Sequence, residues 1–226
     1  MILLEYRGGL GNQLFGWAAG YALARKLKSR AILIPRHTSQ PPLLLSELYC
    51  EFATLPRFVT GNSIRKALSG RDIFQEVKET DWGSTVPASR KPITLFSGYF
   101  QNPELFSGLI GEIHFQAQPK RDAAKLWDRI EARASGNPVV IAHVRLGDYL
   151  NYPSTFLIPS REYYKRATEV VRESLPGCLI VVVTNDVAGA QVLLDCADYV
   201  VGPAECDDPV ELLSVFTRAN GIIGTN

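Results

Sequence analysis

Apolar residues along this chain come in two rhythms: short unbroken runs, and stripes that return every third or fourth position. The runs read as strands buried on both faces of a parallel sheet. The stripes read as helices with one face turned inward. In the first half, Ile2-Leu-Leu-Glu-Tyr6 predicts a strand, 13–28 a helix with Leu14, Ala18, Tyr21 and Ala22 on one face, and Ala31-Ile-Leu-Ile-Pro35 a second strand. This is a β-loop-α-β unit with an expected right-handed crossover. Residues 36–92 are interrupted by Pro41-Pro42, Pro56, Gly61, Gly70 and Pro87. They predict short helices and loops over one end of the first sheet, a surface suited to an acceptor. Ile93-Thr-Leu-Phe-Ser97 predicts a strand, 105–113 a short helix and 120–134 a longer one, stopped by Ser135-Gly-Asn-Pro138.

The second half is more regular. Strands are predicted at 139–144, 179–184, 199–201 and 221–224, and helices at 161–174, 187–196 and 209–219. Ser160 is positioned to cap the first of these helices, Asp186 the second, and Asp208-Pro-Val-Glu211 has the form of a capping box with proline at the first helical position. The alternation β-α-β-α-β-α-β predicts a parallel, doubly wound sheet. The chain is therefore expected to be α/β, with two Rossmann-like doubly wound domains at 1–125 and 136–226 and a boundary near 118–136.

Composition narrows the classes. The chain has 226 residues, 46% of them hydrophobic, enough for a sizeable core. A net charge of +1, from 24 basic and 23 acidic residues, gives no reason to expect a nucleic-acid partner. Cysteines at 50, 178, 196 and 206 form no Cys-x-x-Cys pair, so neither a zinc site nor a disulfide framework is signalled, and a reducing compartment fits. No run reaches the roughly 20 apolar residues of a membrane span. A cytoplasmic protein, soluble or at most peripheral to a membrane, is expected.

The chemistry gathers at strand ends. In a parallel sheet, the carboxyl ends of the strands open on one edge, where ligands bind. Strand 139–144 runs out into His143, Arg145, Gly147 and Asp148; strand 179–184 into Thr184, Asn185 and Asp186; strand 221–224 into Thr225 and Asn226. These segments are expected on one rim, facing a cleft between the halves. A nucleotide or nucleotide sugar is the leading ligand. Arg145 is the main candidate, a bidentate clamp for a diphosphate. Asp148 either holds Arg145 or acts as a base, and His143 is either a satisfied buried histidine or a base. Asp186 is either a cap or a partner for a guanine edge or ribose hydroxyl.

In the first half, Gly8-Gly-Leu-Gly-Asn-Gln13 follows the first strand. Gly9 and Gly11 match the opening of a dinucleotide fingerprint, but Leu14 stands where its third glycine belongs, and Arg36 where an acidic residue would hold a ribose. A nicotinamide dehydrogenase is disfavoured. The loop reads either as a tight turn or as a set of backbone N–H groups at a helix start, with Asn12 and Gln13 adding amides for a hydroxyl-rich ligand. After strand 93–97, Tyr99, Phe100 and Gln101 read either as a stacking and hydrogen-bonding surface for a sugar or as core anchors.

These motifs together resemble the α-1,2-fucosyltransferases, glycosyltransferase family 11. Gly8-Gly-Leu-Gly-Asn-Gln-Leu-Phe15 is similar to that family's G-G-L-G-N-Q-L/M-F, Gly98-Tyr-Phe-Gln101 to its G-Y-F-Q, and His143-Val-Arg-Leu-Gly-Asp-Tyr149 to its H-V-R-R-G-D-Y, with Leu146 in place of the second arginine. Thr184-Asn-Asp186 and Ile222-Ile-Gly-Thr-Asn226 resemble two later motifs. The resemblance implies a GT-B-like pair of Rossmann domains and an inverting, metal-independent transfer of fucose, or a related sugar, from GDP-fucose to a glycan. It implies no cofactor beyond this donor substrate and no metal ligands. It implies donor binding by the second half through His143, Arg145 and Asp148, which are also the expected catalytic residues. Asn185, Asp186, Thr225 and Asn226, on the same rim, are expected to bind the donor as well, and the resemblance implies that the glycine loop, with Gly9, Gly11, Asn12 and Gln13, closes over it; Tyr99 and Gln101 are expected on the acceptor. The alternative is a non-catalytic nucleotide- or glycan-binding module of the same fold.

Overall fold

A computed structural model of the chain describes residues 1–37, 53–54, 59–79, 91–108, 121–152, 154 and 157–224. The chain divides into two compact units, Met1–Gln116 and Ala117–Asn226. Each contains a parallel sheet.

In the first unit, β1 (Ile2–Tyr6), β2 (Ala31–Pro35), β3 (Ala53–Thr54), β4 (Phe74–Lys78) and β5 (Ile93–Ser97) lie in the order β3-β2-β1-β5-β4. All pair in parallel, with Leu4 opposite Leu33 on one side and Phe96 on the other. Every residue of β1 is buried, as a central strand covered on both faces requires. Helix α1 (Leu10–Leu27) brings Gly16 and Gly20 up to the Leu4 side chain. On the opposite face, Leu3, Ile34, Phe74 and Leu95 pack with Ile64 and Leu68 of helix α2 (Gly61–Leu68). Thr60 and Ser63 form a reciprocal capping box that starts α2.

Three expectations differ here. Helix α1 begins at Leu10, so Gly11 and Asn12 belong to its first turn instead of to a loop before it. The region 36–92 contributes β3 and β4, the two strands at the sheet edges, in addition to α2. Only Phe74 of Phe-Gln-Glu-Val-Lys is fully buried, so this edge strand lacks the apolar run that marks a central one. The expected helix at 105–113 is present as a 3₁₀ turn at Pro103–Leu105, and residues 109–113 lie outside the described residues.

In the second unit, β6 (Val139–Val144), β7 (Leu179–Thr184), β8 (Tyr199–Val201) and β9 (Gly221–Ile223) lie in the order β8-β7-β6-β9, all parallel. Helices α3 (Arg121–Ala134) and α6 (Pro209–Phe216) cover one face, where Leu126, Ile130 and Val215 meet Val139, Ile141, Val181 and Val201. Helices α4 (Arg161–Ser174) and α5 (Val187–Leu193) cover the other, where Tyr164 and Ala190 meet Val140, Ala142, Val144 and Val182. The period-two alternation along β6 thus feeds two cores. The predicted N-caps are in place: Ser160 accepts from the Tyr163 amide, Asp186 from Gly189, and Asp208 from Val210 and Glu211. Helices α5 and α6 end three residues earlier than predicted, at Leu193 and Phe216. Among the described residues, no helix is long and apolar enough to cross a membrane.

Candidate functional site

The polar groups of the second unit emerge where β6 and β7 end side by side, with Val144 in register with Thr184. Arg145 is the first exposed residue after β6, and its guanidinium carbon lies 4.8 Å from the centroid of the Tyr149 ring. Leu146 turns the other way, into the core, at 4% exposure. The backbone between them is pinned across the strand ends: the Leu146 amide donates to Asn185 Oδ1 at 2.9 Å. Gly147 then opens a 3₁₀ turn, Gly147–Asn151. A Cβ on Gly147 would lie 2.5 Å from Asn185 Nδ2, so no larger residue fits under that amide. Asn185, expected on the rim as a ligand group, thus holds the Arg145 loop against β7.

Asp186 is similarly occupied. Its Oδ1 accepts from the Gly189 amide at 3.1 Å and its own amide donates to Thr184 Oγ1 at 3.0 Å. Of the two roles open to it, capping is the one the geometry displays. His143 is half-buried, on the face of β6 covered by α6, in an edge-to-face contact with Phe216 at 5.6 Å. Burial pushes its pKa below the ordinary 6.5, and the Arg145 cation pushes the same way. The imidazole is therefore neutral at pH 7. Asp148 belongs to the 3₁₀ turn, while its side chain, Thr225 and Asn226 lie outside the described residues.

In the first unit, the glycine loop and the Gly98-Tyr-Phe-Gln101 segment meet at the carboxyl edge of β1 and β5. The glycine the turn requires is Gly8, at φ +66°, where a Cβ would also lie 2.5 Å from Asn12 Nδ2. Gly9 is the helix N-cap at φ −76°, and neither it nor Gly11 has a neighbour that a Cβ would meet. Gln101 Nε2 donates to Asn12 Oδ1 at 2.8 Å, joining the two motifs. Gln13 departs from its expected place. Its side chain is fully buried, and Nε2 donates to the Gly8 carbonyl at 3.2 Å, so it closes the turn from inside. Tyr99 and Phe100 differ in burial. Phe100 is core, at 1% exposure and φ +58°, while Tyr99 is 46% exposed with the Arg7 guanidinium 5.5 Å from its ring centroid.

Sequence reasoning missed the charged network beneath this edge. Glu5, fully buried in β1, pairs with Arg7 at 2.9 Å, Arg65 at 2.7 Å and Arg36 at 3.8 Å. Arg65 also grips Glu76 Oε1, through Nη2 at 2.6 Å and Nε at 2.9 Å. That hydrogen-bonded guanidinium holds the Glu76 carboxyl below its ordinary range. The available signal was a lone carboxylate in an otherwise apolar strand. Among the described residues, no group of three or more His, Cys, Asp or Glu is placed to hold a metal ion.

Comparison with known proteins points to one class, the glycosyltransferases. The chain is 25% identical, over an alignment covering 97% of it and 85% of the relative, to the O-antigen biosynthesis glycosyltransferase WbnK of Escherichia coli. The α/β fold of parallel sheets and helices resembles that of the fucosyltransferase NodZ. The NodZ α-1,6-fucosyltransferase co-crystallised with GDP superposes with a TM-score of 0.53 at 11% identity, covering 98% of this chain and 86% of NodZ. The selenomethionine form of NodZ from Bradyrhizobium gives 0.54 at 11% identity, over the same shares. No family model matches the chain.

Proposed function

We propose that this protein transfers fucose, or a related sugar, from a GDP-linked donor to a glycan hydroxyl with inversion, and that it is an α-1,2-fucosyltransferase-like enzyme of the GT-B type. The second unit is the donor side and the first the acceptor side. The observation that carries the reading is Arg145: an exposed, permanently charged fork at the end of a rigid buried strand, its loop anchored through Asn185. Such a group suits a diphosphate, and NodZ, which shares the fold, was crystallised with GDP.

In the proposed reaction, the acceptor oxygen attacks the anomeric carbon as the bond from that carbon to the β-phosphate oxygen of GDP breaks. Arg145 faces the negative charge that grows on the departing diphosphate, the stage at which a fixed cation contributes most. The hydroxyl proton goes to a carboxylate, for which Asp148 is the candidate. No metal or further cofactor takes part. His143, neutral beside Arg145, leaves the net charge of the clamp unaltered. The α-1,2 linkage rests on the motif resemblance, and NodZ forms an α-1,6 bond, so linkage analysis of the product belongs to the test.

The experiment is melting of the protein with GDP, UDP and NAD, followed by GDP release from GDP-fucose with and without glycan acceptors, in the presence and absence of EDTA. Stabilisation by GDP and acceptor-dependent, EDTA-insensitive release are expected. Stabilisation by NAD alone would overturn the reading. GDP stabilisation without turnover would instead identify a nucleotide-binding module.

A further inference from the structure

We propose that Glu5 is a positioning residue for the acceptor: buried at the end of β1, it aims Arg7 across the face of Tyr99 and so fixes an exposed aromatic platform on which a sugar ring stacks. The inference rests on the proposed transferase reading for the identity of the ligand.

The carboxylate is built in from several sides. Its Oε1 accepts from Arg7 Nε at 3.0 Å, and Arg36 lies beyond at 3.8 Å. Its Oε2 sits 2.7 Å from Arg65 Nη2, at ion-pair distance. A Cβ on Gly61 would lie 2.2 Å from that oxygen, so α2 can start here only with glycine. A buried carboxylate is costly unless paired, and a core position in a β-strand has no structural need for one. What this one accomplishes is directional. Arg7 is only 19% exposed, yet its guanidinium is drawn down by Glu5 and passes over Tyr99. The other side of the platform is fixed as well. The Tyr99 amide donates to Glu79 Oε2 at 2.6 Å, Phe100 is locked in the core, and Gln101 reaches Asn12. Tyr99 is thus an exposed ring whose backbone and one neighbouring cation are both immobilised, with the Gln101 amide close by in sequence. An aromatic face beside amide groups suits a pyranose, whose C–H face stacks while its hydroxyls hydrogen-bond.

The test separates acceptor from donor. In Glu5→Gln the acceptor KM should rise by roughly tenfold, the worth of a cation–π and stacking arrangement lost, while the GDP-fucose KM and the GDP-induced melting shift stay at wild-type values. Tyr99→Leu should do the same. A merely structural role would lower the folded fraction and so the apparent kcat, leaving both KM values alone. Should Glu5→Gln fail to fold, Arg7→Gln, nearer the surface, carries the same expectation. A second readout needs no turnover: the Arg7 Nε–H resonance, assigned with Arg7→Lys, should be shifted upfield by the Tyr99 ring and lose that shift in both Glu5→Gln and Tyr99→Leu. An Arg7 resonance indifferent to Glu5→Gln, or acceptor and donor KM values moving together, would overturn the proposal. A wild-type protein that neither binds GDP nor turns over any GDP-sugar would instead sink the transferase reading, with the Arg7 resonance still deciding the positioning claim.

Discussion

Leu146→Arg is the substitution that would restore the resembled family's strand-end motif, and the structure predicts that it damages the protein. Leu146 is 4% exposed among Val144, Tyr164, Val182 and Ala190. Its Cδ1 lies 2.6 Å from where a Cβ on Gly189 would be, so there is no slack toward α5. Losing the buried leucine costs about 2 kcal/mol, and an unpaired guanidinium in that core costs several more. A total of at least about 4 kcal/mol follows, and at roughly 4–8 °C per kcal/mol for a unit of this size the melting temperature should fall by about 15 °C or more. Differential scanning calorimetry with and without GDP reads this directly, with Leu146→Met, expected to cost less than about 1.5 kcal/mol, as the control. A Leu146→Arg protein that melts within a few degrees of wild type and binds GDP more tightly would refute the reasoning. It would mean that position 146 reaches the ligand and not the core.

Gly8→Ala should destabilise the first unit by about 1–2 kcal/mol in urea denaturation, because alanine resists φ +66° and its Cβ would displace Asn12; an unchanged midpoint would show that the turn has another accessible form. The lowered pKa of His143 ties stability to pH. The neutral form is favoured by the fold, so this contribution is fully present above the ordinary value of 6.5 and is lost as pH falls below it through the residue's own lower value. His143→Phe should flatten that part of a melting-temperature profile, and a slope that persists would assign it to other groups. Burial pushes the Cys206 thiol up to about 11, so iodoacetamide at pH 8 should not label it in the native protein; labelling at the rate of a free thiol would contradict its buried environment.

Much of the second unit was legible because its strands are unbroken apolar runs and its helices announce their starts. Leu179-Ile-Val-Val-Val-Thr184 can only be a strand covered on both faces, and Ser160, Asp186 and Asp208 each cap a helix as read. The first unit was harder where a strand lies at a sheet edge. Phe74-Gln-Glu-Val-Lys78 has one fully buried residue, and its place outside β5 is set by pairing with a partner 19 positions away in register. At the site, residue types were legible and directions were not. A strand fixes orientation by its period of two, but that rule ends with the strand, so nothing local said that Arg145 faces outward and Leu146 inward. Nor did it say that Gln13 would be swallowed by the turn it follows. In sequence, one charge near a strand end, as Glu5 is, resembles a solvated terminus. Of its three arginine partners, Arg7 follows two positions on, while Arg36 and Arg65 come from farther along the chain and converge on it only in the fold.

The central claim is that the carboxyl edge of β6 clamps a guanosine diphosphate. Isothermal titration of GDP into the wild-type protein and Arg145→Lys measures this. Saturable binding by the wild type is expected, with an affinity lower by roughly ten- to hundredfold in Arg145→Lys, since a point ammonium replaces a bidentate charged pair worth about 1.5–3 kcal/mol. Equal affinities in the two proteins, or no binding of GDP by the wild type, would contradict it.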